Sequence, residues 1–387
     1  MVDPYLILTG DCRARLADID PDSVDSVVSD PPYGLEFMGQ EWDSFGAVVD
    51  DPATVGGFQD GAGGNAYSRS RIRVGHQKPL AYQEFMFEVA SGLLRVMKPG
   101  AYGLMFGGTR TYHRVTCALE DAGFEIRDCL GWLYGSGFPK SSNQKGDWTG
   151  FGTALKPAWE PIILFRKPSR LTVPRNLATH GVGALNIDGC RVGDSGGTKG
   201  FDFKKSPSVN AYGNGLNGKK RQPIDAGRWP ANVMHDGSEE VEAVFPSQSD
   251  RFFYCAKANS KDRDEGLGDD FEESELRGGG GRVEEGYEGA DDGLREAAGK
   301  FGALKSAKRN THPTVKPTDL MRYLCRLVTP PGGLVLDPFS GSGSTGKAAL
   351  LEGFWFIGMD QNPDFAGISE ARCAWAAKQR EAAGGAA

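Results

Sequence analysis

One run near the C-terminus limits what this chain can fold into. An apolar strand, Leu334-Val-Leu336, breaks into the turn Asp337-Pro338-Phe339-Ser340-Gly341-Ser342-Gly343. A helical pattern follows from Ser344 to Glu352, then a second strand from Phe354 to Gly358 that ends at Asp360. Glycines at a strand-to-helix turn let the backbone bend sharply and approach a ligand with no Cβ in the way. Asp360 stands about 23 residues after Asp337, close to the roughly 20-residue offset at which an acid receives ribose hydroxyls in dinucleotide folds. Gly346 follows Gly343 by three, but Lys347 then enters a helix start without the usual pyrophosphate context. NAD or FAD is therefore the lesser reading, and a ligand with adenosine and no phosphate the better one.

The beginning of the chain has the same grammar. Tyr5–Thr9 reads as a short buried strand ending in Gly10-Asp11-Cys12, with a short helical pattern through Leu16 and Ile19. A strand from Ser23 to Ser29 then runs into Asp30-Pro31-Pro32-Tyr33. Strand, helix and strand in so few residues predict a parallel unit, whose ligands lie beyond the carboxyl ends of its strands. Further on, a helix is expected from Tyr82 to Val96, stopped by Lys98-Pro-Gly100, then a strand Ala101–Phe106 and a helix Thr109–Ala122. Strands Glu125–Trp132 and Glu160–Phe165 close this half, and a helix from Thr318 to Val328 and a terminal helix to about Gln379 complete the pattern.

Asp30 to Tyr33 can do chemistry together. A carboxylate at a strand end and the Pro31 carbonyl, left free because Pro32 has no N–H, can accept both hydrogens of an exocyclic amine. That draws the nitrogen toward sp³ and frees its lone pair. Tyr33 can stack on a base swung out of a helix. Each motif alone is compatible with an ordinary turn; their conjunction, with Asp11 and Asp360 each at a strand end, is what points to an active site.

Composition narrows the partners. A length of 387 residues implies one large or two moderate folded units, and 55 glycines point to long stretches between ordered parts. A net charge of −7 argues against coating nucleic acid by bulk electrostatics and leaves room for a local basic groove. Much of the acid lies between Lys261 and about Glu296. Cys12, Cys117, Cys129, Cys190, Cys255, Cys325 and Cys373 are scattered singly, so no zinc site is expected and a reduced cytoplasmic compartment fits. No signal peptide and no apolar run near the roughly 18–20 residues that span a bilayer are found, so no membrane partner is expected.

Gly10-Asp11-Cys12 through Asp30-Pro31-Pro32-Tyr33-Gly34, with Thr311-His-Pro-Thr-Val-Lys316-Pro317 through Asp337–Gly343, resembles the β-group of DNA amino-methyltransferases. The resemblance implies an α/β, circularly permuted, Rossmann-like S-adenosylmethionine-dependent methyltransferase sheet of seven strands, with helices on both faces. Residues 1–168 and 306–387 would form one catalytic domain, and residues 169–305 an inserted target-recognition region with flexible loops. Asp30, Pro31, Pro32 and Tyr33 would hold the target base. Asp337, Pro338, Phe339, Gly341 and Gly343 would line the cofactor pocket, with Asp337 near the methionine amine. Asp360, where the family more often has Glu, would reach the ribose beside Gln361. Asp11 and Cys12 would lie near the adenine, and Lys316 by the methionine end.

The partner implied is double-stranded DNA. In the family D-P-P-Y is mainly an adenine-N6 motif and S-P-P-Y mainly a cytosine-N4 motif, so Asp30 favours adenine, with cytosine N4, RNA or a catalytically silent DNA-binding protein as the alternatives. A homodimer stays open, and nothing in the residues indicates a restriction endonuclease partner. Arg69, Arg71, Arg73, Lys78, Lys204, Lys205, Lys219, Lys220, Arg221, Lys305, Lys308 and Arg309 are candidate phosphate contacts. Strand-like pieces in the insert are Arg228–Val233 and Arg251–Cys255, and Trp229 is expected in the insert's core. For His312, a structural hydrogen bond and a chemical role are both open.

Overall fold

The structure, a computed structural model, describes residues 3–35, 77–135, 137, 141–193, 226–244, 252–255, 257–268 and 310–384. In chain order these form β1 (Tyr5–Thr9), α1 (Cys12–Arg15), β2 (Val24–Ser29), α2 (Gln77–Val96), β3 (Met97–Phe106), α3 (Tyr112–Asp121), β4 (Glu125–Leu133) and β5 (Trp159–Arg166). They continue with α4 (Val173–His180), β6 (Val233–His235), α5 (Glu239–Val244), β7 (Phe253–Tyr254) and α6 (Ser260–Asp264). The last part is α7 (Thr318–Val328), β8 (Leu334–Asp337), α8 (Ser344–Leu351), β9 (Trp355–Asp360) and α9 (Pro363–Gly384).

The two ends of the chain interleave in one sheet, ordered β1-β9-β8-β2-β3-β5-β4-β6-β7. The C-terminal strands β8 and β9 lie between the N-terminal strands β1 and β2, all parallel, with Ser26 opposite Val335 and Thr9 opposite Asp360. Only β5 runs against its neighbours, β3 and β4. Parallel strands cannot be joined by tight turns, so helices cover both faces. Val89, Leu93, Val115 and Leu119 of α2 and α3 fill one side of the sheet, and Leu320, Leu324, Ala348 and Ala376 of α7, α8 and α9 the other.

With both faces covered, every residue of β2 is buried, including polar ones. Each finds a partner, as burial demands. Asp25 receives the Lys98 ammonium at 2.5 Å and the Leu334 N–H at 2.8 Å, and the Ser26 hydroxyl lies 2.8 Å from that of Thr329. These bonds tie β2 to β3 and to the C-terminal half.

Lys98-Pro-Gly100, expected to stop a helix, lies inside β3 instead. Val24 faces Met97 and Ser26 faces Tyr102, so the extra residues bulge out of the strand. Gly100 takes φ +83°, and Asn176 donates to the Pro99 carbonyl at 2.9 Å. The strand count also differs from the seven implied by resemblance: nine strands pair among the described residues. The two extra, β6 and β7, come from residues 233–254 and extend the sheet beyond β4, with Trp132 donating to the Cys255 carbonyl at 3.3 Å. Arg228 lies outside the named strands and forms an isolated antiparallel bridge with Val192. Trp229 is not core: it is 60% exposed, with the Arg191 guanidinium 5.7 Å from its ring centroid.

Arg69, Arg71, Arg73, Lys204, Lys205, Lys219, Lys220, Arg221, Lys305, Lys308 and Arg309, most of the expected acidic tract and the side chain of Lys78 lie outside the described residues. Among the described residues no helix is long and apolar enough to cross a membrane.

Candidate active site

Four strand ends open on one edge of the sheet. β1 leads to Asp11, β2 to Asp30, β8 to Asp337, and β9 ends at Asp360. A cavity of about 1050 Å³ lies along this edge, lined by Asp11, Asp30, Tyr33, Asp337, Gly341 and Asp360 among others. The motif near the start of the chain and the glycine turn near its end therefore share one cleft. Cys12, Pro31, Pro32, Lys316, Pro338, Phe339 and Gln361 line it too, whereas Gly343 lies just behind the wall.

The glycine turn is held by what a side chain would disturb. Gly341 has φ +50° and Gly343, which caps α8, has φ +73°. A Cβ on Gly341 would press into the His312 ring, and one on Gly343 into Ser369. The Gly341 N–H donates to Asp360 Oδ2 at 2.9 Å, and the Asn362 N–H to Oδ1 at 2.8 Å. Burial pushes the Asp360 carboxyl above its usual range against these two bonds. Each oxygen retains a lone pair for a further donor.

Asp337 is almost fully buried and accepts the Ser29 hydroxyl at 2.6 Å and the Phe339 N–H at 3.0 Å. Burial outweighs these bonds and pushes its pKa up to about 6. Asp11 caps α1, and Arg13 grips its carboxylate from 2.6 Å while reaching Glu88 at 2.6 Å. The Arg13 bond holds the Asp11 carboxyl below its ordinary range. Cys12 is buried, and that pushes its thiol up to about 12, so it is a wall and not a nucleophile. The rings of Phe85 and Phe339 meet at 6.1 Å, giving the cleft an apolar wall.

At the other end, both oxygens of Asp30 are engaged. Tyr33 donates its hydroxyl to Oδ1 at 2.9 Å and Lys316 its ammonium to Oδ2 at 2.7 Å. Burial, then the nearby Asp30 and Glu160 charges, hold Tyr33 well above its usual pKa, so it stays a phenol and a donor. Thr111 donates to the Tyr33 carbonyl at 2.6 Å and Tyr82 to that of Pro32 at 2.6 Å, which fixes the loop after β2.

Lys316, expected at the cofactor's methionine end, thus has its ammonium on Asp30, with Glu160 at 3.3 Å and the Phe106 ring centroid at 4.8 Å. Burial alone would lower its pKa; the two carboxylates overcome this and raise it, so the charge stays. His312 is neutral at pH 7, because burial drags its pKa down to about 4. Its Nδ1 sits 3.0 Å from the Thr314 carbonyl and its ring meets Phe365 edge-on at 4.6 Å, which makes it a brace for the glycine turn.

Several residues of the site escaped the sequence reading. Glu160 was only the first residue of an apolar strand; an isolated acid at such a strand end was the available signal. Lys257 and Arg263, far away in sequence, line the same cleft. Beneath the glycine turn, buried Arg372 donates to the Ser342 carbonyl at 2.6 Å and to that of Asp262 at 3.0 Å. Fully buried Lys347 pairs with Glu265 at 2.7 Å, and Asp262 accepts the first N–H of α7 at 3.0 Å. The 262–265 segment thereby locks onto the C-terminal half. Among the described residues no group of three or more His, Cys, Asp or Glu could hold a metal.

The chain is similar to known proteins. Type II methyltransferase M.HindIII of Haemophilus influenzae is 27% identical over 202 residues, which is 46% of this chain and 64% of that protein. DNA adenine methyltransferase YhdJ of Escherichia coli K12 is 43% identical over 54 residues, 14% of this chain and 18% of that protein. The chain thus spans less than two thirds of these relatives' own lengths. The solved PvuII DNA methyltransferase (cytosine-N4-specific) aligns with 96% of this chain and 88% of its own at 13% identity and a TM-score of 0.44, too loose a likeness to carry an argument. The family model described as DNA methylase (N6_N4_Mtase) matches residues 24–371, a stretch holding both motifs and nearly the whole sheet, and the chain belongs to that family.

Proposed function

We propose that this chain transfers a methyl group from S-adenosylmethionine to the N6 amine of adenine in duplex DNA, after the base has swung out of the helix. The observation that carries this reading is a single cleft with Asp30 and Tyr33 at one end and the Gly341 turn with Asp360 at the other. A paired base hides its amine within the stack, so a carboxylate set inside a cavity is reached only by an extruded one.

The residues at the turn fit this cofactor. A glycine whose Cβ would fill the cradle, two strand-end acids and the apolar Phe85–Phe339 wall suit an adenosine carrying positive charge at its other end. S-adenosylmethionine supplies an electrophilic methyl on a sulfonium. The chain supplies position. Asp360 accepts ribose hydroxyls through its remaining lone pairs, Asp337 faces the methionine ammonium, and Asp11 with Cys12 bounds the adenine. Asp30 and the Pro31 carbonyl accept the two hydrogens of the target amine, Tyr33 packs on the base, and the carboxylate receives the proton that the amine sheds on becoming methylated. Catalysis rests on orientation and electrostatics, with no covalent enzyme intermediate. Residues 169–305 serve target recognition, their described parts abutting the cleft at Lys257 and Arg263.

Adenine is preferred to cytosine because a carboxylate, not a hydroxyl, stands at position 30, and because the local relative YhdJ is named an adenine methyltransferase. Incubation of the chain with tritiated S-adenosylmethionine and unmethylated plasmid duplex, followed by nucleoside analysis, should give N6-methyladenine. N4-methylcytosine would move the target base, and label confined to RNA would remove DNA. No transfer to any nucleic acid by the wild type, matching an Asp30→Ala control, would leave a silent DNA-binding protein.

A further inference from the structure

β4 ends and β5 starts at the edge where the cleft opens, and the described residues 141–158 belong to the connection between them. Leu130 and Phe106 both face Ile162 across β5, so the end of β4 and the start of β5 lie beside the carboxyl end of β3. Trp132 and Glu160, which flank the connection, line the cleft.

The connection folds back on itself. The Ser142 N–H donates to Thr153 Oγ1 at 2.9 Å, the Thr153 N–H to Ser141 Oγ at 2.9 Å, and the Gln144 N–H to the Phe151 carbonyl at 2.9 Å. A short 3₁₀ turn, Gly146–Trp148, closes the tip, with Thr149 bonded back to Gly146 and Phe151 back to Trp148, each at 3.0 Å. On this braced tip Trp148 and Phe151 meet edge-on, their ring centroids 5.4 Å apart at 84°. They are nonetheless 64% and 61% exposed, and Leu155 on the returning limb is 92% exposed. Large apolar side chains left exposed to water on a hydrogen-bonded frame are costly unless something covers them.

Resting on the reading of a base-flipping enzyme, we propose that the Trp148–Phe151 tip is an aromatic wedge that enters duplex DNA beside the target nucleotide. The occupant follows from place and chemistry. The connection that carries the tip starts and ends next to Trp132 and Glu160, which line the cleft proposed to take the extruded base, and extrusion would leave an unstacked gap within the duplex. A flat ring restores stacking in that gap without reading sequence, since every base offers a π-face. Lys145 beside the tip suits the flanking phosphates, while Lys156 is paired with Glu240 at 3.1 Å and steadies the returning limb. Braced rings lose little freedom on insertion, which favours a preorganised wedge over a loop that must first fold.

The test uses the full chain with tritiated S-adenosylmethionine and one unmethylated plasmid, offered as duplex and as heat-denatured strands. Trp148→Ala combined with Phe151→Ala should lower kcat/KM on the duplex about tenfold or more, change transfer to single strands by less than about twofold, and leave cofactor affinity intact. Trp148→Phe should restore most of the duplex rate. Equal loss on both substrates, or no loss on the duplex, would overturn the proposal, as would a change in sedimentation from dimer to monomer with an unaltered duplex-to-single-strand ratio. If denatured strands accept no methyl, tryptophan emission decides: wild type minus Trp148→Phe isolates Trp148, whose quenching by the duplex supports the wedge and whose indifference overturns it. Absence of all transfer by the wild type would instead strike at the methyltransferase reading.

Discussion

Lys316 Nζ lies 2.7 Å from Asp30 Oδ2, although the two residues are 286 positions apart in the sequence. Glu160 shares the same ammonium from 3.3 Å. The lysine is buried, so it is a charge the fold retains only because two carboxylates meet it. In the proposed reaction it would orient Asp30, with Glu160 a second anchor for its charge.

Lys316→Met should therefore lower kcat by about 10- to 100-fold, less than the roughly 100- to 1,000-fold for removing a donor that itself touches the reacting atoms, with the cofactor dissociation constant little changed. Lys316→Arg should recover part of the rate. Single-turnover methylation alongside calorimetric cofactor binding separates the outcomes. A large rise in the dissociation constant with an unaltered rate would return Lys316 to the methionine end of the cofactor.

Asp360→Ala should act in the opposite sense. Removing the acceptor proposed for ribose hydroxyls, which holds the Gly341 N–H at 2.9 Å, should weaken cofactor binding by roughly 1–3 kcal/mol while sparing the rate at saturating cofactor. Calorimetry on the ligand-free protein checks this, and unchanged affinity would place the ribose elsewhere.

Asp337 links stability to pH. Its folded pKa, pushed by burial from an ordinary 3.8 up to about 6, means that between these values the folded chain holds a proton the unfolded chain has already lost. Its contribution is complete below about 3.8 and fades as pH rises through about 6. From pH 5 to pH 7 the wild type should lose about 1 kcal/mol that Asp337→Asn does not lose. Urea midpoints of both proteins at the two pH values measure the difference, and parallel shifts would contradict it.

The lock under the glycine turn is tested by Glu265→Ala. Lys347, 0% exposed, would keep only Asp262 at 3.5 Å, and an under-compensated buried charge costs about 3–5 kcal/mol. A lower denaturation midpoint is expected. Glu265→Ala with Lys347→Met should recover much of the loss, since the pair is then removed together.

Much of this was legible in the residues because the determinants are local. The period of apolar residues marked β1, α7, β8, α8 and β9 to within a residue or so, and the glycines at 341 and 343 marked a turn whose positive φ few other residues adopt. Asp30, Asp337 and Asp360 were visible because strand ends in a parallel sheet converge on one edge by geometry. The bulge at Lys98-Pro-Gly100 was misread because Pro and Gly signal a helix stop equally well, and only pairing with β2 distinguishes them. Trp229 was placed in a core because large aromatics usually are, whereas its exposure depends on which neighbours arrive.

By itself the sequence determined most elements of the two flanking halves, their order and the two motifs, since each is written in a contiguous stretch whose backbone preferences and apolar spacing act over a few residues. Tertiary structure alone decided that Lys316 would rest on Asp30 and Glu160, that β6 and β7 would lengthen the sheet, and that Asp262 and Glu265 would meet the Lys347 ammonium while Arg372 donates to the Asp262 carbonyl. Those pairings join residues remote along the chain, and burying a charge selects its partner only once packing has excluded the water that would otherwise solvate both.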